Sequence, residues 1–491
     1  MIRAALVLAL LWMGAAEARE HVPARLMLSA EHLHQGAHHS PVLTLDQVLK
    51  AAVRSFPGMV AAEQRREAAA GERLAAEGGF DTNLKLMSRW SVAGLYENSN
   101  YDLLLEQPTE FGGASFFGGY RRGVGNYPVY EGKSATADGG EFRGGINIPL
   151  WRNGPIDRRR AALAQAELAQ LIAGHDYDAA MLDLQRVVAQ RYWDWVLAGR
   201  RVAVAKHLLA VAEQRNQGLK ERIAEGDIPA IEAAENERAI LERQERLVAA
   251  ERMLEQTGIV LSLYWRDAHD EPQLPKPEQL PAGFPEPHAP ELHDLEDAIN
   301  EAHHRRPELR KLDHQRKQAE IERDLHLNQQ APGIDVSLIG AQDIGPTNNK
   351  LVNREEVYAG ISIDLPLQRR VARGKTASAQ ANVQRIQADH RLASDRVAAD
   401  VKDAFSALRA AQKRVGIARQ QREAARQLEE GERTRFELGD SSLLFVNLRE
   451  LASGDAALAE ADALNAYHKA QADYRFALGH IDLPETGQRG L

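Results

Sequence analysis

The chain of 491 residues contains no cysteine. This absence excludes disulfides, thiolate metal sites, cysteine nucleophiles and attachment of a lipid through cysteine. Aromatic residues make up only 6% of the chain, a low share for several compact globular cores. Alanine, leucine, arginine, glutamate and glutamine abound instead, and this composition is typical of long helices and coiled coils.

Signatures of nucleic-acid binding and of enzymes are also missing. The net charge is −9, with acidic and basic residues interspersed, so no basic surface for nucleic acid is indicated. The chain has no G-x-S-x-G, H-E-x-x-H or P-loop motif, and Gly123-Val124-Gly125 lies in a glycine-rich stretch without βαβ context. We therefore expect neither enzymatic activity nor a cofactor. A secreted enzyme with an unrecognised site is the remaining enzymatic alternative.

The first eighteen residues have the features of an export signal. Arg3 supplies a positive charge, Ala4 to Met13 form a short apolar core, and Ala16-Glu17-Ala18 is an A-x-A cleavage site. About ten apolar residues are too few to span a bilayer, so we expect cleavage after Ala18. No later segment has eighteen consecutive apolar residues. A mature chain that enters a membrane is then expected to do so as a closed β-barrel.

Two halves of the chain resemble one another in order and spacing. Residues 145–150 (GINIPL) recur at 360–365 (GISIDL), and Gly226-Asp227 recurs at Gly439-Asp440, with offsets of 215 and 213. Upstream, residues 55–57 (SFP) correspond to residues 305–307 (RRP) at an offset of 250. The drop in offset indicates an insertion in the first half. We predict that this insertion is a long glycine-rich loop over residues 95–140.

These patterns divide the chain into six parts. They are a signal peptide (1–18), a His-rich segment expected to be disordered (19–42), a first structural repeat (43–265), a Pro-rich linker (266–294), a second repeat (295–480) and a C-terminal tail (481–491). Because prolines recur throughout it, the linker is expected to be extended and to place the halves side by side without constraint.

Long helical hairpins are predicted in both repeats. Proline is absent from residues 156–228 and 367–483, and apolar residues recur there at three- and four-residue spacings. The pattern predicts hairpins over 156–264 and 368–478, with tips at Gly226 and Gly439, because glycine favours the left-handed conformation that ends a helix. The first helix of each hairpin would be ~100 Å long at ~1.5 Å per residue.

Alternating apolar and polar residues precede each hairpin. They predict strands at about 83–92 and 141–150 in the first repeat, and at about 334–341 and 357–365 in the second. Strands of this length cross a bilayer when tilted, with apolar side chains facing lipid. Four strands cannot close a barrel, so this interpretation requires an oligomer. The alternative is a small sheet packed on helices in a soluble periplasmic coiled-coil scaffold protein without transport activity.

The complete ordered set resembles the TolC-like outer-membrane factor (outer membrane efflux protein) family, from about Leu43 to Gly479. The local matches are the early prolines Pro57 and Pro307, the strand-to-helix joins at 148–151 and 363–366, and the tips at 222–226 and 435–439. No single match is specific, whereas their duplicated order is.

This resemblance implies a mainly α fold with a small β part. It implies a homotrimer with a twelve-stranded transmembrane β-barrel continued by a periplasmic α-helical barrel, located in the cell outer membrane with most of the chain in the periplasm. It also implies a channel of a tripartite efflux or type I secretion system. Such a channel passes substrates from a periplasmic adaptor (membrane fusion protein) and an inner-membrane pump to the exterior.

The R-x-x-x-G tips are the first candidate site. In the family such tips contact the adaptor, and the matching residues here are Arg222, Gly226, Arg435 and Gly439. Glycine permits the turn and a close backbone approach, and arginine offers donors to carbonyls of a partner. The alternative is that these residues only cap helices.

A pore constriction is the second candidate site. Family members often have acidic residues six and nine positions beyond the second tip glycine, where this chain has Phe445 and Leu448. The first tip has Glu232 and Glu235 at those offsets. Phe445 from three copies could block ions by dewetting, or it could pack in the seam between helices, which is the interpretation we favour. The two glutamates would face either the lumen or the outer surface.

Two further groups of charged residues are weaker candidates. Basic runs follow both strand pairs, and they could reach lipid phosphates or form a solvated face: Arg158, Arg159, Arg160, Arg369, Arg370, Arg373 and Lys375. Histidines of the N-terminal segment could bind a divalent metal, although a solvated tail is the simpler interpretation: His32, His34, His38 and His39.

Overall fold

The computed structural model describes residues 42–128, 134–287, 294–347, 352 and 355–481. The predicted signal peptide and the candidate histidines of the N-terminal segment lie outside these residues. The same is true of nearly all of the predicted C-terminal tail.

Helices form two matching sets. The first set is α1 (Leu45–Ser55), α2 (Pro57–Glu77), α3 (Arg158–Ala224) and α4 (Ile231–Ser262), and the second is α5 (Leu295–Arg305), α6 (Pro307–Asn328), α7 (Arg370–Glu437) and α8 (Leu443–Leu478). The long helices α3 and α7 have 67 and 68 residues. Among the described residues, none of these helices has a stretch apolar enough to span a bilayer. The predicted duplication of the helical hairpins is confirmed.

Local sequence explains where these helices begin. Thr44 caps α1 in a capping box with Gln47, and the Asp157 carboxylate caps α3 by accepting hydrogen bonds from two backbone N–H groups of the first turn. Pro57 and Pro307 stand at the first position of α2 and α6, where a missing N–H costs nothing.

Both long helices end in the same turn. Gly226 has φ 81° and Gly439 has φ 85°, in the left-handed region that glycine adopts without strain. The N–H of the following aspartate donates back to the carbonyl of Arg222 at the first tip and of Arg435 at the second, at 2.9 Å in each case. These bonds satisfy carbonyls that the end of a helix would leave unpaired.

In the part of the chain that the structure describes, the strands form one antiparallel sheet of six members in chain order. They are β1 (Asn83–Ser91), β2 (Asn98–Pro108), β3 (Ser115–Gly125), β4 (Glu141–Pro149), β5 (Gly333–Asp343) and β6 (Glu355–Asp364). The four predicted strands correspond to β1, β4, β5 and β6. The prediction of a loop over residues 95–140 was wrong, because β2 and β3 lie within it. The twelve-stranded count assumed four strands in each copy, and the sheet has six.

The glycines of β3 explain why this strand was not predicted. This strand (SFFGGYRRGVG) has four glycines, which weaken the alternation that identified the others. At Gly119 a Cβ atom would lie 2.4 Å from the carbonyl oxygen of Leu103 in the neighbouring strand. Glycine is therefore needed there for the close approach of two backbones, not for a flexible loop.

The helical core includes the linker between the repeats. One buried cluster joins α1, α3 and α4 around Trp195, and another joins α5, α7 and α8 around Tyr467. In the linker, Leu280 packs over Gly199, and the ring of Phe284 lies 5.8 Å from the ring of Trp193. In the described part of the linker, residues 267–271 form a turn and Pro277–Gln279 form a short 3₁₀ helix. The linker packs against α3 and does not leave the halves unconstrained.

Candidate functional site: the faces of the sheet and the hairpin tips

Side chains of the sheet separate into an apolar and a polar face. Residues paired across antiparallel strands point to the same side, and successive residues of a strand point to opposite sides. The pairing therefore places these residues, which we call the apolar face, on one side: Leu84, Leu86, Leu103, Leu105, Phe116, Phe142, Ile146, Ile148, Val336, Leu338, Ile361 and Ile363.

The apolar face is uncovered within one copy of the chain. The side chains of Leu86 and Ile361, in strands at opposite edges, are 71% and 72% exposed. The alternative interpretation, a small sheet with one face packed on helices, does not agree with this exposure. A continuous apolar surface of this kind needs another apolar phase or partner to cover it.

Aromatic residues mark the end of the apolar face that is remote from the helices. The Trp90 Nε1–H donates to the Tyr101 hydroxyl at 3.1 Å, and the rings of Tyr120 and Phe142 lie 5.2 Å apart. Amphipathic aromatic residues at the edge of an apolar band are typical of the boundary between lipid and water.

The polar face is held together by ion pairs between strands. Arg121 of β3 binds Glu141 of β4, and Arg143 of β4 reaches Asp102 of β2 at 2.5 Å. Lys85 of β1 binds Glu106 of β2. Charged side chains on this face and apolar ones on the other give the alternation of a strand between lipid and an aqueous lumen.

The tips of the two hairpins pack against one another. Leu219 of α3 forms a small core with Leu443 and Val446 of α8, and Phe436 of α7 packs beside it. The Arg222 guanidinium lies 5.7 Å from the centre of the Phe436 ring, within the range of a cation–π contact. The predicted tip residues of both repeats therefore lie at the same end of the molecule.

A buried ion cluster behind the tips joins three helices. The Glu450 carboxylate of α8 accepts from Arg215 of α3 at 2.9 Å and from Arg243 of α4 at 2.7 Å. Glu450 and Arg243 are only 1% and 2% exposed at their side chains. Burial lowers the pKa of Arg215, although the adjacent Glu450 opposes that shift. Sequence analysis missed this cluster, because charge-rich helices contain many carboxylate–arginine spacings and none identifies a buried pair.

The fold is similar, over most of the chain, to that of outer-membrane channels of known structure. The chain superposes on OprN with a TM-score of 0.63 at 15% identity, covering 89% of both chains. It superposes on MtrE of Neisseria gonorrhoeae with a TM-score of 0.63 at 18% identity, covering 89% of this chain and 88% of that one. For VceC of Vibrio cholerae the TM-score is 0.62 at 16% identity, covering 89% of this chain and 96% of that one. No curated protein matches the chain in sequence.

The sequence match is to a family model. Residues 298–480, which run from α5 to the end of α8, match the model of the outer membrane efflux protein family. The second repeat is therefore similar in sequence to the family that the motifs resemble. The chain as a whole has the fold of the outer-membrane channels, which is mainly helical with long helical hairpins and a small antiparallel sheet. The predicted fold class is confirmed.

The predicted constriction residues lie near the tips. Phe445 is 55% exposed, whereas its neighbours Leu443 and Val446 are buried. Within one copy, these neighbours and not Phe445 fill the seam between helices. Glu235 pairs with Arg238 at 2.7 Å, and this hydrogen bond holds the pKa of Glu235 below its usual value. Glu232 is half-buried in the first turn of α4.

The second tip arginine contacts its own turn. Arg435 donates to the Asp440 carbonyl at 3.2 Å and lies 3.5 Å from the Glu432 carboxylate. The tip glycines have open space around them, since a Cβ at Gly226 or Gly439 would meet no atom within 4 Å. Both tips are therefore accessible, and Arg435 also stabilises its turn.

The two basic runs meet between the sheet and the helices. Arg158 borders a cleft of about 750 Å³ together with Arg369, Arg370 and Lys375. Arg158 and Arg159 also line a second cleft with Asn147 and Asp335 of the polar face. Arg160 is engaged with Asp157. Because Arg158 and Arg159 share a cleft with the polar face, their predicted contact with lipid phosphates is not favoured.

No group of three potential metal-ligating side chains occurs in the part of the chain that the structure describes. The candidates His32, His34, His38 and His39 lie outside that part.

Proposed function

We propose that this protein is an outer membrane efflux protein, that it is the outer-membrane duct of a tripartite efflux or type I secretion system, and that it acts as a homotrimer. The exposed apolar face of the sheet carries the proposal. It supports insertion in a membrane, while hairpin helices of ~100 Å would extend through the periplasm.

A single sheet in lipid would leave both of its edges unpaired. Each unsatisfied backbone group in hydrocarbon costs several kcal/mol, so β1 and β6 need partners. Three copies that pair edge to edge would satisfy the backbone groups of β1 and β6, and the polar faces of the three sheets would then line a lumen. Light scattering of the detergent-extracted protein should give three copies, and a monomer would contradict the proposed assembly.

Substrates would enter from a periplasmic adaptor that is driven by an inner-membrane pump. We assign adaptor docking to Arg222, Gly226, Arg435 and Gly439, since both tips are exposed at the end remote from the sheet. The absence of cysteine makes this assignment testable by single-cysteine cross-linking in cells. Cysteine at Asp227 or Asp440 should cross-link to the adaptor, and cysteine at exposed Ile417 in the middle of α7 should not. Equal cross-linking at all three positions would refute docking at the tips.

We assign the pore constriction to the same end of the duct. Phe445 is exposed beside Leu444 and Leu448, so three copies could form an apolar ring that excludes ions by dewetting. In planar-bilayer recordings, Phe445→Ala should then raise conductance while the melting temperature of the trimer is unchanged. Replacing Glu232 and Glu235 by glutamine should shift the reversal potential if they reach the lumen. An unchanged potential would place them on the outer surface.

A further inference from the structure

The inserted hairpin β2–β3 is an integral part of the sheet. β2 is paired with β1 along the whole of β1, and β3 is paired with β4 from Ser115 to Arg121. β1 and β4, which would be neighbours in a four-stranded sheet, are therefore separated by two strands. The direction of every strand still alternates, because a hairpin adds two strands of opposite direction.

Side chains of the inserted hairpin alternate between the apolar and the polar face in register with those of the other strands. Leu105 and Phe116 lie on the apolar face, while Asp102 and Arg121 lie on the polar face. The Arg143 side chain of β4 reaches Asp102 of β2 across β3, where Gly119 has no side chain to block it. This ion pair, which spans β2, β3 and β4, holds the hairpin and β4 in one continuous sheet.

The two edges of the six-stranded sheet complement each other. β1 carries Lys85 and Arg89 and no acidic residue, whereas β6 carries Glu355, Glu356 and Asp364 and no basic residue. The edges run in opposite directions, since β1 leaves the helical end and β6 returns to it. A second copy can therefore pair its β6 with β1 in antiparallel fashion, with both apolar faces on the same side and opposite charges at the junction.

The strands are also staggered as a closed barrel requires. The row of paired residues that begins at Asn83, the first residue of β1, reaches β6 at Tyr358. Tyr358 lies six residues before Asp364, the end of β6. The stagger continues through β2 and β3 without a break. The inserted strands are therefore tilted to the same extent as the other strands of the sheet.

We infer that the channel closes as a barrel of eighteen strands, six from each of three copies, with β1 of one copy paired to β6 of the next. This inference rests on the proposed trimer. Barrel diameter grows roughly linearly with strand number, so the lumen would be about one and a half times as wide as that of twelve strands. Barrels of this size leave an aqueous channel, which suits bulkier cargo than a twelve-stranded mouth admits.

Part of the added space is occupied by the β3–β4 connection. The Ala137 N–H donates to the Asp343 carboxylate at 2.8 Å, and the Thr136 hydroxyl accepts from the Gly123 N–H at 3.1 Å. Asp343 and Gly123 lie on the polar face. The described residues of this connection therefore fold over the lumen side and narrow the outer mouth.

The direct test is a strand count in the transmembrane cross-section of the wild-type trimer, by electron cryomicroscopy in nanodiscs. Eighteen strands are expected. Twelve strands, with β1 paired to β4 and the hairpin outside the membrane, would overturn the inference and leave the proposed function standing. A monomer or a water-soluble protein would instead overturn the proposed function itself.

Two neighbouring residues of β2 provide a matched second test. Leu105 is on the apolar face, while Leu104 is on the polar face directly opposite Lys85. In an eighteen-stranded barrel, Leu105→Glu should lower the temperature at which the trimer dissociates, whereas Leu104→Glu should leave it unchanged or raise it. If the hairpin lies in water, the two variants should dissociate at the same temperature, and that result would contradict the inference.

Discussion

The two repeats have nearly the same helices but different numbers of strands. The long helices differ by one residue, while the described residues of the first repeat form four strands and those of the second form two. In the proposed tunnel, helices that stand side by side must match in length and reach the same end. A sheet can gain a hairpin without disturbing the helices. Two added strands run in opposite directions, so the chain still enters the next helix in the same direction.

The repeats also differ behind their tips. Glu450, in the second repeat, is buried between two arginines, whereas Glu237, its counterpart at the offset of 213, is exposed. Equivalent positions therefore have different energetic roles, although the turns before them are the same. The duplication preserves geometry at the tips more closely than it preserves chemistry.

The largest effect is expected from the buried carboxylate. Glu450→Gln leaves two largely buried arginines without a counter-charge, and breaking such a pair costs roughly 3–5 kcal/mol. Glu237→Gln should change the free energy of unfolding by less than ~0.5 kcal/mol, as an exposed substitution does. Thermal unfolding of the purified variants checks both values. Equal losses at the two positions would show that the repeats do not differ here.

A smaller effect is expected from charge on the apolar face, and it should appear in both repeats. Ile148 and Ile361 lie on this face, near the ends of β4 and β6 that lead to the helices. Arginine on the lipid side costs roughly 2–4 kcal/mol at the bilayer midplane and roughly 0–1 kcal/mol near an interface. At these two positions near the helical end we expect a loss of about 1 kcal/mol. The adjacent polar-face changes Asn147→Arg and Ser362→Arg should be tolerated, the latter because Ser362 lies opposite Asp335.

Refolding of these four variants into lipid vesicles measures the difference. If arginine is tolerated on both faces, the assignment of the outer and lumen sides is incorrect. If arginine is more costly on the apolar face in only one repeat, the strands of the two repeats do not lie in the same transmembrane sheet.

The smallest effect is a pH dependence in the contact between the repeats. His468 of the second repeat stacks on Trp193 of the first at 4.4 Å, and burial lowers its pKa below 6.5. The unfolded chain therefore binds a proton more readily, so stability should fall as pH drops below about 6.5. Burial and the neighbouring His175 lower the pKa of His314 too, which contributes with the same sign.

His468→Phe should therefore reduce the loss of stability between pH 7.5 and pH 5.5 without abolishing it. Denaturant unfolding followed by tryptophan fluorescence at both pH values gives this difference. An unaltered pH dependence in the variant would mean that His468 is already charged in the folded protein.

Much of this architecture could be predicted from the sequence. Proline-free stretches and the glycine tips gave the hairpins to within a few residues, because helix periodicity and helix ends are local properties. Four strands, β1, β4, β5 and β6, could be predicted because apolar and polar residues alternate regularly in them. β3 could not, because its glycines interrupt the alternation, and the need for one of them, Gly119, arises only from the backbone of Leu103 in the paired strand.

The chemistry of the tips was less predictable. The turns at Gly226 and Gly439 follow from local conformation, but the burial of Glu450 depends on the packing of three helices. The exposure of Phe445 likewise depends on which face of α8 meets α3, and Leu443 and Val446 have the same apolar character. Sequence periodicity does not decide between such neighbours.

The measurement that tests the central claim most directly is the location and mass of the native protein. Outer-membrane and soluble periplasmic fractions are separated, and light scattering determines the mass of the protein extracted in mild detergent. We predict extraction from the outer membrane only with detergent, as three copies of the mature chain. Recovery from the soluble periplasmic fraction, or a monomer in detergent, would contradict the account.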